Sequence, residues 1–448
     1  MMRRLLKSSL GSIITVLLLL CYSTQAYAMS TIRDAEIEST VRALSTPIFK
    51  AAGLVPENIT IILVNDPQIN AFVDGGMNLF LNTGLMTQFD KPEVLVGTVA
   101  HESGHIAGGH LARNSDKFKN LTIGSVIGLG LGAVAMALGS PDAGMAMIQG
   151  SSQVAQREML QYSRENEEAA DQAALKFLDK TGNTASGLLE LLEYLNQEEH
   201  LLYGTIDPYL QTHPLSRDRI EHIRNHVGLE MTPGAGTITP ALRVAYARCY
   251  VKLHAYFDPP SQTLKKYPPS SHTALSRYAR AIAYQKIPDL QKSFNELDSL
   301  LAEFPRDPYY LELKGQILLE NGRAPEAVPY YAKAVSILPR ETLLSAELAT
   351  AQIAAADDDT IHSKQLLESA IATLNHDRIS TPRDLMLFEQ LEIAYGKLGV
   401  KGMSYLMHAE LASINKNKED TKKFAKLAEK YLTANTPAFI RAQDLLKN

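Results

Sequence analysis

The sequence predicts a mostly α-helical protein in which an α+β domain with a small antiparallel sheet precedes an α-solenoid of helical repeats. Apolar β-branched runs cluster between residues 59 and 81, helical spacing of apolar residues dominates elsewhere, and a 34-residue period marks the second half. The 448 residues, 45% hydrophobic and 21% charged, are enough for two or three domains. The formal net charge of -5 gives no reason to expect nucleic acid as a partner.

The first 28 residues have the pattern of a secretory signal peptide. Arg3, Arg4 and Lys7 precede an apolar run over residues 13–20, and Ala26-Tyr27-Ala28 fits the small-residue cleavage pattern. We therefore predict an exported protein that is cleaved at the end of this segment. The alternative is an uncleaved N-terminal anchor.

The predicted elements of the first domain follow in order along the chain. They are a helix over about residues 30–53, strands over 59–64, 70–73 and 78–81, and a helix that opens at Thr83. Turn residues at 65–67 and 74–76 separate the strands. We therefore expect a small antiparallel sheet directly before the helix that carries His101.

Beyond a glycine-rich linker at 233–236, small and apolar residues recur every 34 positions, as from Pro305 to Pro339. The repeat positions are Leu311, Gly315, Leu318, Ala327, Tyr331 and Ala334 in one unit, and Ala281, Tyr284, Leu297 and Leu300 in the preceding unit. This spacing is typical of tetratricopeptide repeats, in which small residues let paired helices approach closely. An unrelated helical bundle is the alternative.

The segment His101-Glu102-Ser103-Gly104-His105 is the main chemical feature of the sequence. Residues four apart on a helix lie about 40° apart and about 6 Å along the axis, so His101 and His105 can bind one ion. Glu102 projects beside them, where it can take a proton from water and give it to a leaving amine. The alternative is two surface histidines on an ordinary helix.

A catalytic zinc site usually has a third protein ligand. Leu111 stands where a metzincin has its third histidine, and His110 would point about 180° from His101 on a continuing helix. We expect a structural or hydrogen-bonding role for His110. Glu167 and Asp171 share a helix face, so Glu167 can bind the ion while Asp171 accepts the outer N–H of a ligand histidine. The alternative for this acidic run is a solvated face.

The two motifs together resemble the gluzincin metallopeptidases. His101-Glu102-x-x-His105 is followed about sixty residues later by Ser163-Arg164-x-Asn166-Glu167-x-x-Ala170-Asp171. That family includes the integral-membrane CAAX prenyl proteases, a stress-induced membrane protease and a soluble mitochondrial relative. Asn70-Ala71-Phe72 with Thr83-Gly84-Leu85 is similar to the edge-strand region of the family. A signal peptide combined with repeats resembles a periplasmic branch that acts in outer-membrane assembly.

The resemblance implies a role for each motif residue. His101, His105 and Glu167 would hold one Zn²⁺ per chain, and Glu102 would be the catalytic base. Asp171 would act in catalysis by orienting a ligand histidine. The strand around residues 70–72 would bind substrate.

A later motif, Thr212-His213-Pro214-Leu215 followed by Arg219, resembles a family loop near the metal. In the periplasmic branch this histidine is thought to fill the open zinc position and keep the enzyme latent. His213 would then be a fourth metal ligand, and Arg219 a regulatory or substrate-binding residue. The alternative is that His213-Pro214 turns the chain and Arg219 makes a structural ion pair.

Members of that branch often carry a cysteine pair that ties the repeat domain together. Here Cys21 would leave with the signal peptide, so that Cys249 would remain alone. The tether of the branch is therefore missing from this sequence.

Residues 121–138 contain no charge and are a marginal transmembrane candidate by length. A single span would place His101 and Glu167 on opposite sides of the membrane, where one ion could not bind both. We therefore expect a lid-like element over residues 121–150, or a hairpin in the membrane interface.

These observations predict three regions and one main function. The regions are a signal peptide over 1–28, a zinc metallopeptidase domain over 29–230 and a tetratricopeptide-repeat domain over 231–448. The function is a periplasmic endopeptidase that degrades misfolded or misassembled outer-membrane and envelope proteins and assists their assembly. Its expected partners are unfolded outer-membrane or periplasmic proteins, the outer-membrane assembly machinery through the repeats, and the membrane surface through 121–150. The alternative is a repeat chaperone or scaffold with a capped, structural zinc site.

Overall fold

The computed structural model describes residues 30–74, 77–110, 163–201, 209, 213–229, 236–357, 360–381 and 384–447. Helices dominate these residues, a small sheet lies near the N-terminus, and consecutive helices fill the second half. The predicted fold class is therefore confirmed. No helix in these ranges is both long and apolar enough to cross a membrane. The predicted signal peptide, the turn at 75–76 and the segment 121–150 lie outside the described residues.

The N-terminal part consists of short strands and longer helices. In order, it contains β1 (Thr31–Ile32), α1 (Ala35–Ala51), β2 (Thr60–Val64), β3 (Ala71–Val73), β4 (Asn78–Asn82), α2 (Thr83–Gln88), α3 (Pro92–Gly108), α4 (163–181), α5 (Ser186–Leu201) and α6 (Arg217–Leu229). The first helix begins later than predicted, because the Asp34 carboxylate caps it by accepting a hydrogen bond from the Ile37 N–H at 2.9 Å. The residues before this cap form β1 instead.

The four strands form one sheet in the order β1-β2-β4-β3. β4 pairs antiparallel with β3 but parallel with β2, so the prediction of an antiparallel sheet was wrong for the β2–β4 pair. The reason is that the chain crosses to the far edge as β3 before it returns as β4. The carbonyl of Asp66 fixes this crossover, because it accepts hydrogen bonds from Thr83 Oγ1 and Gly84 N–H, both at 2.9 Å. β3 is left at the edge of the sheet.

Helix α3 runs through the core of the N-terminal part, where Val94, Leu95 and Val99 are fully buried. It contacts α1, α5 and β3. At Gly104 it also approaches α4 so closely that an added Cβ would lie 2.7 Å from the carbonyl oxygen of Ala170. This glycine therefore lets α4 lie directly against the helix that carries His101.

The second half consists of consecutive helices in which each packs against the next. They are α7 (Pro240–Phe257), α8 (Pro260–Lys266), α9 (Ala274–Lys286), α10 (Leu290–Glu303), α11 (Pro308–Glu320), α12 (Ala324–Ile337), α13 (Thr342–Ala355), α14 (Ile361–Ser380), α15 (Leu385–Lys397), α16 (Lys401–Ile414), α17 (Lys418–Tyr431) and α18 (Pro437–Lys447). The small residue of the repeat is needed at Gly315, where an added Cβ would lie 2.9 Å from the ring of Tyr331. The repeat positions of this unit, among them Leu311 and Ala334, are buried as the period predicts.

Helix α7 joins the two halves of the molecule. The hydroxyl of Tyr246 donates a hydrogen bond to the carbonyl of Phe89 at 3.0 Å, and Cys249 belongs to the apolar core that contains α1 and α3. Val251 and Ala255 on the same helix belong to the core of the first repeat helices. The predicted domain boundary at residue 230 stays a prediction.

Candidate active site

Helix α3 places two histidines and a glutamate in the interior of the protein. His101 and Glu102 have no exposed surface, and His105 is 7% exposed. The Nε2 atoms of His101 and His105 lie 3.1 Å apart. The two imidazoles therefore converge on one point, as side chains four positions apart on a helix can do.

Helix α4 brings a carboxylate to the same point. The Oε2 atom of Glu167 lies 3.2 Å from His101 Nε2, and its Oε1 atom lies 3.3 Å from His105 Nε2. Its acidic neighbours Glu165 and Glu168 are exposed. The acidic run is thus divided between a solvated face and one glutamate that points inward.

His213 completes this group from a segment far along the chain. Its Nδ1 atom lies 3.1 and 3.2 Å from the two oxygens of Glu167 and 3.4 Å from His101 Nε2. One ligand atom from each of His101, His105, Glu167 and His213 lies within 4.8 Å of all the others. Tetrahedral zinc with bonds of about 2.0–2.1 Å separates neighbouring ligand atoms by about 3.3 Å. The observed separations therefore fit one Zn²⁺ bound by three nitrogens and a carboxylate.

Asp171 and Arg219 contact the converging side chains but do not belong to that group. Asp171 Oδ1 lies 2.9 Å from His101 Nδ1, so an Nδ1–H donor leaves the Nε2 lone pair directed at the group. Arg219 Nε donates to Asp171 Oδ2 at 2.6 Å, and Arg219 Nη1 lies 3.1 Å from Glu167 Oε2. Because the Arg219 side chain is only 1% exposed, this geometry favours a structural ion pair over direct contact with substrate.

Burial and neighbouring charges set the protonation of these groups. Burial disfavours a charge on His101, but hydrogen bonds with Asp171 and Glu167 outweigh it and raise its pKa to about 10. Burial lowers the pKa of His105 to about 4. Burial also opposes ionisation of Glu167, but the electrostatic interaction with His213 and hydrogen bonds from the histidines hold its pKa well below the usual range. A divalent cation at His101 Nε2 would take the place of the proton there, since a ligating imidazole is neutral.

Glu102 lies beside the four converging side chains but is not one of them. Neither carboxylate oxygen has a hydrogen-bond partner among the described residues, and burial raises the pKa of this carboxyl. Its Oε1 atom lies 3.4 Å from Nε2 of His213. A buried carboxylate with a raised pKa is suited to accept a proton during a reaction.

The predicted substrate strand lies at the edge of the sheet. Ala71 and Phe72 belong to β3, which α3 contacts, and Asn70 directly precedes it. Phe72 stacks on Phe80 with ring centroids 4.7 Å apart, which fixes the strand on β4. Within the described ranges no further strand pairs with the outer edge of β3. Such an edge can accept an extended chain.

Tyr209 is a residue of the site that sequence reasoning missed. It is fully buried, and its ring centroid lies 4.7 Å from that of His213. The backbone N–H of His213 donates to the Tyr209 carbonyl at 2.7 Å. An aromatic residue four positions before a metal-site histidine is the pattern that could have indicated it, because such residues lie on one side of a helical turn.

A buried HExxH helix with a glutamate from a second helix defines a metallopeptidase site. Residues 31–227 match the model of peptidase family M48, so this part of the chain is similar to that family. The match spans α3, α4 and the segment that carries His213. The residues whose geometry indicates a metallopeptidase site are therefore the same residues that the family match covers.

Three relatives illustrate this similarity. The chain is 26% identical over 301 residues to the beta-barrel assembly-enhancing protease of Escherichia coli (strain K12), a match that covers 66% of this chain and 61% of that protein. It is 26% identical over 328 residues to the protein of the same name from Yersinia pestis, covering 72% of this chain and 66% of that one. A shorter match, 27% identical over 173 residues, covers 38% of this chain and 63% of Metalloprotease YcaL of Escherichia coli (strain K12). The chain thus aligns with about three fifths of the first of these relatives.

Proposed function

We propose that this protein is a zinc endopeptidase of the cell envelope that cleaves misfolded or misassembled outer-membrane and periplasmic proteins and assists their assembly. One observation carries the proposal, namely the convergence of His101, His105 and Glu167 on a point beside the buried carboxylate of Glu102. The match of residues 31–227 to peptidase family M48 and the names of the relatives support it.

The residues of the site have separate tasks in this proposal. His101, His105 and Glu167 would hold the ion, and Asp171 keeps His101 in the ligating tautomer. When bound, Zn²⁺ polarises a peptide carbonyl and lowers the pKa of water. Glu102 accepts the proton of the attacking water on a carboxylate oxygen and then donates it to the amine that leaves.

Strand β3 would bind the substrate by strand addition. Its outer edge offers backbone N–H and C=O groups beside α3, and its register with β4 is fixed from Ala71 to Val73. Main-chain hydrogen bonds of this kind need an extended substrate. A folded protein rarely presents such a segment, so the geometry favours unfolded or misassembled chains.

We infer further that His213 holds the enzyme in a latent form. Its Nδ1 atom lies 3.1 and 3.2 Å from the two oxygens of Glu167, where it would be the fourth ligand, and its Nε2 atom lies 3.4 Å from Glu102 Oε1. It therefore occupies both the open position of the ion and the approach to the base. The Tyr209 ring and the hydrogen bond from Arg219 Nη1 to the Pro214 carbonyl at 2.9 Å keep the segment in place.

His213→Ala tests latency. Open states of a closed protein are commonly populated at about 10% or less, so removing the cap should raise zinc-dependent cleavage of an unfolded protein by about tenfold or more. His222→Ala, an exposed histidine on α6, is the matched control and should change nothing.

A scaffold with a permanently capped structural zinc is the second candidate, favoured by the fourth ligand. Under that hypothesis His213→Ala gains no activity.

Glu102→Gln tests the catalytic base and is best made together with His213→Ala. Loss of a general base should lower the cleavage rate by about 10²–10⁴-fold, while zinc content and the unfolding temperature stay the same. Glu93→Gln in the first turn of the same helix is the control. Unchanged cleavage would refute the assignment of Glu102.

The remaining parts of the proposal concern location and partners. They are export through residues 1–28, one Zn²⁺ per chain, docking of the repeats on the outer-membrane assembly machinery, and membrane contact through residues 121–150. Metal analysis of the purified chain tests the stoichiometry. Fractionation of expressing cells, with crosslinking from the repeats, tests the location and the docking partner.

A further inference from the structure

We infer that His110 is a positioning residue that fixes the ring orientation and tautomer of His105 for metal binding. The inference rests on the proposed zinc site and adds a residue outside the group of four ligand side chains. His110 lies two residues beyond the end of α3 and is 3% exposed.

The contact between the two rings defines the direction of a hydrogen bond. Nδ1 of His110 lies 3.0 Å from Nδ1 of His105, and the ring planes cross at 82°. Two ring nitrogens at this distance need one N–H and one lone pair. If Nε2 of neutral His105 directs its lone pair at the ion, the proton is on Nδ1, and His105 donates to His110.

The two ligand histidines of α3 are thus supported by different partners. Nδ1 of His101 meets the carboxylate of Asp171 at 2.9 Å, whereas Nδ1 of His105 meets a second imidazole at 3.0 Å. Ligand histidines almost always donate their outer N–H to an acceptor that sets the tautomer. His110 supplies that acceptor for His105 without adding a negative charge to the site.

The backbone after α3 is shaped to bring His110 back to His105. On a continuing helix His110 would point away, but Gly109 adopts a left-handed φ of 61° and ends the helix. Gly108 makes room for the returning ring, because an added Cβ there would lie 2.4 Å from His110 Nε2. The two glycines therefore have separate roles, one in the turn and one in the space for the imidazole.

The first test compares two substitutions at position 110 in the full-length chain. His110→Leu removes the acceptor, and His110→Asn places an amide oxygen near the former Nδ1 position. Zinc affinity is measured with Zn²⁺ alone by competition with a chromogenic chelator. Loss of an outer hydrogen-bond partner typically lowers metal affinity by about 10–100-fold, so we expect this loss for His110→Leu and near-normal affinity for His110→Asn.

The second test keeps the histidine at position 110 but displaces its side chain. Gly108→Ala keeps a helical residue but pushes the imidazole away from His105, so zinc affinity should fall by about tenfold or more. Gly109→Ala strains the left-handed turn, yet no atom lies within 4 Å of the added Cβ. It should lower the stability of the metal-free protein more than Gly108→Ala does, while zinc affinity stays close to wild type.

The outcomes separate this inference from the proposed function. Wild-type affinity in both His110→Leu and Gly108→Ala, or an equal loss in His110→Asn and His110→Leu, would overturn the positioning role. If His110→Leu does not fold, the glycine pair decides by the same criterion. A wild-type chain that binds no zinc would instead refute the zinc site itself.

Discussion

Two buried clusters of ionisable side chains in this protein are built in opposite ways. The active-site cluster consists of His101, His105, Glu167 and His213. The junction cluster consists of Asp34, Glu36, Arg248, Lys252 and Asp307, and it joins the start of α1 to the repeats. The active-site cluster is buried and the junction cluster is mostly buried, but only in the active-site cluster do lone pairs of different side chains point at one another.

In the junction cluster opposite charges meet directly. Arg248 Nε lies 2.8 Å from Glu36 Oε1, and Arg248 Nη1 lies 2.6 Å from Asp307 Oδ2. Nζ of Lys252 lies 2.6 Å from Asp34 Oδ2. Glu36 is 1% exposed and Lys252 is 2% exposed, so these charges have given up their hydration and depend on each other.

The difference shows which feature of a buried cluster indicates a metal. At the junction the protein supplies both signs of charge, so each of the two cations already lies against carboxylate oxygens. In the active-site cluster nitrogen lone pairs and carboxylate oxygens face one point, and a proton or a cation has to compensate them. Convergence of lone pairs, and not burial or charge alone, therefore indicates the zinc site.

The largest expected effect comes from removing a converging carboxylate. Glu167→Gln should lower zinc affinity by more than about a hundredfold, beyond the effect of an outer partner, and abolish cleavage. Glu168→Gln changes the exposed neighbour on the same helix and is the control. Chelator competition and cleavage of an unfolded protein measure both. If the two variants have the same zinc affinity and the same cleavage rate, the converging side chains do not form a zinc site. The proposed difference between the active-site cluster and the junction cluster would then be refuted.

Breaking a pair at the junction should affect stability instead of chemistry. Arg248→Met removes the guanidinium group from Glu36 and from the partly exposed Asp307, whereas Glu36 keeps a tyrosine hydroxyl and a lysine nearby. The free energy of unfolding should therefore fall by about 1.5–3 kcal/mol. Arg243→Met removes a pair with Glu93 in which the arginine is 50% exposed, and should cost about 1 kcal/mol or less. Denaturant unfolding measures both. The zinc affinity of folded Arg248→Met should match wild type, and a large drop in it would contradict independent clusters.

The smallest expected effect is a pH dependence of the free energy of unfolding, which comes from Glu347 beside the junction cluster. Burial raises the pKa of Glu347, although the charge of Lys252 opposes the shift. An unfolded chain releases this proton near about pH 4.3, so above that pH the folded state holds a proton that the unfolded state has lost. The free energy of unfolding therefore falls as the pH rises towards the raised pKa of the folded protein.

Glu347→Gln should remove this dependence. We expect the variant to gain stability relative to wild type between about pH 5 and about pH 8, as measured by denaturant unfolding across that range. Glu326→Gln, exposed on α12, should run parallel to wild type. If Glu347→Gln also runs parallel, Glu347 is already ionised in the folded protein.

Local patterns in the sequence determined the elements and the main ligands. The apolar β-branched runs over residues 59–81 predicted the strands, because such side chains favour extended backbone. The 34-residue period predicted the repeat helices. The four-residue spacing of His101 and His105 likewise places both rings on one helix face. Glu167 was within reach as well, because it belongs to a motif whose pattern resembles a known family.

Tertiary structure alone decided the features that join distant segments. β4 lies parallel to β2, His213 approaches His101 across 112 positions, and Tyr278 donates to Glu36 across 242 positions at 2.7 Å. No local period encodes such contacts, since they depend on how closely elements pack, as α4 does on α3 at Gly104. The sequence thus predicted the residues that can hold zinc. The tertiary packing decided that these residues converge on one point, whereas the charges of the junction cluster form ion pairs.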